Sequence, residues 1–291
     1  MKKRLAFIIN PISGGINKAD FPPQVAGTLN TSLFDYELFY TTSTEHNKEL
    51  AQQCVNAGYD VIVAVGGDGT INNTAKYVAG TDSCFGLIPL GSGNGLARHH
   101  QLKPDIKKAL ETLNKMNIVS IDTGLANGEF FINLAGVGFD AHVSWMFAQA
   151  PKRGFVQYAK ITLNEFAKYQ PHQYEIIIDG KTIRERAFIV CVANGSQYGN
   201  NAFIAPTAST TDGLFEITII KPFKVWQMPF LGMRIFNKTL LQSSNTINFR
   251  GKHVVIKRLN ADVVNIDGEP IPMEQTIDIR LIHQNLKMIV P

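Results

Sequence analysis

The chain has 291 residues, 45% of them hydrophobic and 18% charged, with a formal net charge of +4. That length favours two domains over one, the apolar content is enough for a sizeable core, and so small a basic excess excludes nucleic acid as the main partner. Cys54, Cys84 and Cys191 are odd in number, far apart and set in apolar stretches, which excludes a disulfide framework or a Cys/His zinc site and fits a reducing cytoplasm. The apolar run after Met1-Lys2-Lys3-Arg4 is too short for a signal peptide and ends at Asn10-Pro11. No run approaches the roughly 18 apolar residues of a membrane span, so any meeting with a membrane is expected at its surface.

In chain order, Leu5 to Ile9 reads as a buried strand and Asn10-Pro11-Ile12-Ser13-Gly14-Gly15 as a loop. Lys18 to Leu29 is a weak helix, broken by Pro22-Pro23. Tyr36 to Tyr40 is a strand. Thr44 to Ala57 is a helix capped by Ser43 or Thr44. Val61 to Val65 is the next strand, followed by Gly66-Gly67-Asp68-Gly69-Thr70 and a helix over Ile71 to Val78. Phe85 to Ile88 is a short strand, followed by Pro89-Leu90-Gly91-Ser92-Gly93-Asn94-Gly95 and by helical signals from Leu96 and over Ile106 to Met116. This β/α alternation predicts a parallel sheet with helices on both faces.

After about residue 118 strand signals dominate, from Ile118 to Ile121 through Leu286 to Val290, with Asp179-Gly180 as a hairpin turn. Helical insertions interrupt at roughly 141–169 and 222–241. The expected organisation is an α/β domain over residues 1–120 and a mostly antiparallel β domain over 121–291, with the last strand free to pack back toward the first.

Three glycine loops follow three strands of the predicted parallel sheet. In such a sheet they share the carboxyl edge, where ligands bind. Glycine lets backbone approach a phosphate closely, and a helix start supplies N–H groups and partial positive charge. Asp68 is the odd member, because a carboxylate among phosphate-binding amides repels the ligand unless it holds a cation or takes a proton. No GxxxxGK[ST] occurs, so this is not a P-loop; GxGxxG with its distant acid and the protein-kinase signatures are also missing.

Asn-Pro-x-Ser-Gly at 10–14, Gly-Gly-Asp-Gly-Thr at 66–70 and Pro-Leu-Gly-Ser-Gly-Asn-Gly-Leu-Ala-Arg at 89–98 resemble the diacylglycerol kinase catalytic family, which includes bacterial lipid kinases and sphingosine kinases and is distantly related to NAD kinases and 6-phosphofructokinases. The resemblance continues in order through Gly136-Val137-Gly138-Phe139-Asp140, Asn194-Gly195, Pro206 with Ala208-Ser209, Asp212-Gly213-Leu214 and Asp267-Gly268-Glu269. It implies an NAD kinase/phosphofructokinase-like α/β domain that binds ATP with Mg²⁺, a β domain that shapes a lipid pocket, an active site between them, and transfer of the γ-phosphoryl group to a lipid hydroxyl.

By position, the resemblance assigns the ATP site to Asn10, Pro11, Ile12, Ser13, Gly14, Thr41, Gly66, Gly67, Asp68, Gly69, Thr70 and Asn72, with Gly91, Ser92 and Asn94 in the third loop. It assigns Glu269 as proton acceptor and Asp68 to orienting Mg²⁺-ATP or assisting the acceptor. A structural Mg²⁺ site falls on Asp212 with the main chain of Ser209 and Leu214, and Asp122 falls at an acidic position toward the substrate. Ser92-Gly93-Asn94-Gly95 departs from the Thr-x-Asn-Asp of many bacterial members and leans toward the sphingosine-kinase-like form. The alternatives are an NAD kinase-like enzyme and a catalytically silent lipid- or nucleotide-binding protein; the late Asp-Gly-Glu and the retained Asp68 argue against them.

From Lys221 to Arg258 there are eight basic residues and no Asp or Glu, interleaved with Phe223, Trp226, Phe230, Leu231 and Phe236. Such a stretch suits an anionic membrane surface; the plain alternative is a core helix with solvated lysines. Lys152-Arg153 is a weaker candidate of the same kind. The expected setting is cytoplasmic with peripheral membrane association, and a homodimer is left open.

Overall fold

The computed structural model describes residues 2–13, 20–151 and 154–291. Gly14, Gly15, Lys18, Lys152 and Arg153 therefore lie outside the described residues. The chain divides into two compact units. Unit 1 is residues 1–122 with 283–291, and unit 2 is residues 123–282.

Unit 1 alternates β1 (Lys3–Ile9), α1 (Phe21–Thr28), β2 (Phe34–Tyr40), α2 (Thr44–Asn56), β3 (Val61–Gly66), α3 (Asp68–Val78), β4 (Cys84–Pro89), α4 (Gly95–His99) and α5 (Ile106–Lys115). The strands stand in the order β2-β1-β3-β4, all parallel, and Met288 near the end of the last strand pairs in parallel with Phe85 of β4. A parallel sheet is covered on both faces, and so β1 and β3 carry unbroken apolar runs whose core residues are all buried. Alternate side chains divide the load. Leu5, Phe7, Ile9, Val61, Val63 and Val65 pack with Phe21 and Val25 of α1 and with Ala109, Leu110 and Leu113 of α5; Ala6, Ile8, Ile62 and Ala64 point to the opposite face.

Two local expectations change. Pro22-Pro23 does not break a helix but starts one, because the first turn of α1 needs no N–H from those positions. The cap of α2 resolves to Ser43, whose Oγ accepts the N–H of His46 at 3.0 Å.

Unit 2 begins within β5 (Ile118–Ala126) and continues through β6 (Glu129–Phe131), β7 (Leu134–Gly138), α6 (Phe139–Ala148), α7 (Phe155–Phe166), β8 (His172–Ile178), β9 (Lys181–Ala187), β10 (Ile189–Ala193) and β11 (Phe215–Ile220). It ends with α8 (Met228–Phe236), β12 (Thr246–Gly251), β13 (His253–Arg258), β14 (Asp262–Ile266), β15 (Glu269–Met273) and the first half of β16 (Thr276–Ile289). The two strands expected at 277–281 and 286–290 are one, because β16 runs uninterrupted for 14 residues.

One antiparallel sheet has the order β12-β11-β10-β7-β14-β15; β8 and β9 pair on one side of β13, and β16 pairs on the other. Their facing side chains form one core, in which Val190, Val192, Ile217 and Ile219 meet Ile176, Val254, Ile256, Ile277 and Ile279. The other face of the six-stranded sheet, with Cys191 and Ala193, packs under α6 and α8 through Phe139, Val143 and Leu231. No helix among the described residues is long and apolar enough to cross a membrane.

Candidate active site

The three glycine loops of unit 1 leave the carboxyl ends of β1, β3 and β4, which are neighbours in the sheet. Hydrogen bonds join them in series. Asn10 Nδ2 donates to Thr70 Oγ1 at 3.2 Å, linking the first loop to the second, and Asn10 Oδ1 accepts the N–H of Ile12 at 3.1 Å. Asp68 links the second loop to the third: Oδ2 accepts the N–H of Asn94 at 2.9 Å and Oδ1 that of Gly95 at 3.0 Å. Burial raises the pKa of this carboxyl, opposed by those two N–H donors and by the charge of Arg98. The third loop also braces itself. Asn94 sits in the left-handed region at φ 55°, accepts the N–H of Gly91 at 3.0 Å and donates to the Gly91 carbonyl at 2.7 Å.

Close approach explains two of the glycines. A Cβ on Gly91 would lie 2.6 Å from the Cα of Gly67, so the two loops touch backbone to backbone. Gly67 is the N-cap of α3 and offers no side chain to satisfy its first N–H groups. The start of α3 therefore has no side-chain cap and lies at the positive end of an 11-residue helix. Thr70 is buried and its carbonyl accepts the Thr74 hydroxyl at 2.9 Å, whereas Ile12 and Ser92 are exposed. Thr41 is buried, with its N–H on the Ile9 carbonyl at 2.8 Å. Pro11 is exposed, Ser13, Gly69 and Asn72 are half-buried, and Gly66 is buried under Thr70.

Asp122 is fully buried. Its Oδ1 accepts Nδ1–H of His283 at 2.7 Å and the N–H of Gln284 at 2.8 Å. The exposed partner in that pair is His283. His99 and His100 stack edge to face, and burial holds both below the usual imidazole range, His100 at about 3.

In unit 2, Glu269 is the exposed first residue of β15. The turn before it is held by Asp267, which stands at φ 49° and accepts three backbone N–H groups: Ile132 at 2.8 Å, Asn133 at 3.0 Å and Leu134 at 2.7 Å. Asn265 adds a second tie, its Oδ1 accepting the N–H of Gly268 at 2.9 Å while Nδ2 faces Asp140 Oδ2 at 3.5 Å.

Asp140 is itself unusual. It is buried at the start of α6, and burial pushes its carboxyl up to about 7 against hydrogen bonds from Ala141, Asn265 and Tyr198. The Cβ that any larger residue would place at Gly136 would occupy the position of its Oδ2. Two buried oxygens here, Asp140 Oδ1 and Asn133 Oδ1, have no hydrogen-bond partner among the described residues. Nothing in the residue pattern around Asp140 and Asn265 pointed to this pairing except that Asp140 lies in the Gly-x-Gly-Phe-Asp segment.

The residues expected to hold a structural cation are differently engaged. Asp212 Oδ2 forms an ion pair with Arg250, and Oδ1 accepts the N–H of Leu214 at 3.1 Å. Ser209 Oγ faces Thr211 Oγ1 at 3.2 Å. Among the described residues no three His, Cys, Asp or Glu side chains gather as a metal site.

Comparison with known proteins places these loops. A family model for the diacylglycerol kinase catalytic domain matches residues 4–126. A second, for the YegS C-terminal NAD kinase beta sandwich-like domain, matches residues 133–290. A diacylglycerol kinase of Bacillus subtilis (strain 168) is 26% identical over 92% of this chain and 90% of its own length. One of Staphylococcus carnosus (strain TM300) is 23% identical over 92% of this chain and 89% of its own. The crystal structure of a diacylglycerol kinase from Bacillus anthracis (strain Sterne) has the same fold, with a TM-score of 0.76 at 19% identity over 100% of this chain and 97% of that one. With both models matched in order, the chain belongs to the diacylglycerol kinase catalytic family of lipid kinases, in the form that carries a YegS C-terminal domain.

Proposed function

We propose that this lipid kinase transfers the γ-phosphoryl group of ATP to a lipid hydroxyl, with diacylglycerol as the first acceptor to test. The observation that carries the reading is the Asp68 clamp: one carboxylate holds the second and third glycine loops together at the start of α3, which no N-cap side chain covers. Phosphoryl transfer asks a protein mainly for position and charge, which fixed amides supply without reorganisation. Asp68 acts here as a positioning residue. A divalent cation, when bound with the nucleotide, would neutralise phosphate charge. It would be held chiefly by the phosphates, with Asp68 as the nearest carboxylate.

Glu269 takes the acceptor's hydroxyl proton as the lipid oxygen bonds to phosphorus and the bond to the departing ADP breaks. Naming diacylglycerol rests on the names of the two relatives that match nearly end to end. The test is labelled ATP supplied with diacylglycerol, phosphatidylglycerol, a sphingoid base, ceramide and NAD in turn. Label in diacylglycerol supports the reading. Label in another lipid moves the acceptor, and label in NAD alone overturns it.

A further inference from the structure

The helix α8 has two apolar faces. Its inner face, with Leu231 and Ile235, joins the cluster under the six-stranded sheet, and Phe223 just before it stacks on Phe166 and Phe188. Its outer face is also apolar. In the 3₁₀ turn just before α8 (Val225–Gln227), Trp226 is 65% exposed, and on α8 itself Phe230 is 58% exposed, Met233 57% and Phe236 51%, the helical residues recurring every three positions. A surface helix of a globular protein ordinarily turns charge to water at these positions, and a contiguous exposed apolar stripe marks a surface with a partner.

The basic residues identify the partner. From Lys221 to Arg258 there is no acid, but three of the four basic residues at the far end of that stretch are spent internally. Arg250 pairs with Asp212, Lys257 with Glu175, and Arg258 with backbone carbonyls of residues 262, 263, 273 and 274. The near end is different. Among the described residues, Lys221, Lys224 and Lys238 form no ion pair; Lys224 and Lys238 lie at the two ends of the apolar stripe, both exposed, with the Lys238 ammonium over the Phe203 ring at 4.5 Å.

We infer that the outer face of α8 docks this protein on an anionic lipid bilayer, with Trp226 and Phe230 entering the interface and Lys224 and Lys238 against the head groups. Tryptophan favours that depth, lysine can cover apolar surface while its ammonium stays with anionic phosphates, and the two terms add. The surface deepens the lipid-kinase reading by naming where the protein meets its substrate's bilayer, yet it does not depend on the acceptor or on transfer.

The test is sedimentation of the full chain with vesicles of phosphatidylcholine containing phosphatidylglycerol, and with phosphatidylcholine alone, without nucleotide. Trp226→Ser with Phe230→Ser should weaken partition to the anionic vesicles about tenfold or more. Lys224→Gln with Lys238→Asn should weaken it about fivefold per lysine at low salt, and little at high salt. Because the chain has two tryptophans, Trp145→Phe leaves Trp226 as the sole reporter, and its emission should shift to the blue on adding anionic vesicles. Activity on a short-chain, dispersed diacylglycerol should be the same in the variants and the unaltered chain, which separates lost docking from lost folding. Partition unchanged in the Trp226/Phe230 variant, or no blue shift while the protein pellets, overturns the proposal. So does a dimer in sedimentation velocity that this variant dissociates, since the face would then cover a second copy. Failure of every acceptor in the kinase assay leaves the partition and fluorescence readouts untouched.

Discussion

Asp68 in unit 1 and Asp267 in unit 2 do the same physical job in different settings. Each is one carboxylate collecting backbone N–H groups from a distant loop: two for Asp68, three for Asp267. Asp68 is half-buried at the edge of a parallel sheet, where neighbouring strands already deliver three loops to one place. Topology does the gathering, and the carboxylate only sets the spacing between loops. Asp267 is buried among antiparallel strands that share no functional edge. There the carboxylate itself fastens the β14–β15 turn to the start of β7. The first clamp should therefore matter most to turnover, and the second most to folding.

Variants can break or sharpen that contrast. Glu269→Gln, exposed and downstream of the second clamp, should lower kcat about a thousandfold and leave the urea midpoint unchanged; near-normal turnover would remove it from the chemistry. Asp267→Ala strands three N–H groups and should cost about 3 kcal/mol of stability in urea unfolding. An unaltered midpoint would show that the turn holds without its clamp. Asp68→Asn should lower kcat about a hundredfold with the smaller change in stability, since one oxygen becomes an NH₂ facing a backbone N–H. If it unfolds the chain as readily as Asp267→Ala does, the two clamps are alike after all. Gly91→Ala forces the second and third loops apart and should lower kcat about tenfold or more.

A further effect concerns pH. The carboxyl of Asp140 titrates at about 7 in the folded chain against an ordinary value of 3.8. Between these values the folded chain keeps a proton that the unfolded chain has released. Stability from this group therefore falls as pH rises from about 4 to about 7, and is level above that. Asp140→Asn removes the slope, so the variant should gain on the unaltered chain in urea midpoints measured at pH 5 and then at pH 8. A constant difference would place the proton elsewhere.

What could be read in the residues follows the same division. Glycine loops after apolar runs are local signals, and a parallel sheet converts them into one edge, so Asn10, Asp68 and Asn94 were found together. Asp267 was visible only as part of Asp-Gly-Glu; its work depends on Ile132, Asn133 and Leu134, at separations of 135, 134 and 133 residues. Asp140 and Asn265 are likewise brought near by pairing of β7 with β14. Apolar letters in 223–236 look the same whether they face core or water, and only packing assigned Leu231 inward and Phe230 outward. The burial of Asp122 could not be read locally, because the pairing that encloses it comes from the far end of the chain.

That pairing has a consequence for how the molecule is made. Asp122 closes the first segment of unit 1 and His283 opens the second, so the residues where the chain departs and returns are hydrogen-bonded to each other. Unit 2 is thus an insertion whose two ends meet. A short turn could splice 122 to 283 and give a candidate free-standing nucleotide-binding piece, whereas simple truncation after 122 could not. During synthesis, a chain stalled anywhere in unit 2 has already made every glycine loop but lacks Met288, the partner of Phe85 beside β4. The parallel sheet of unit 1 should therefore be completed late, as a sign that the whole insertion has been made.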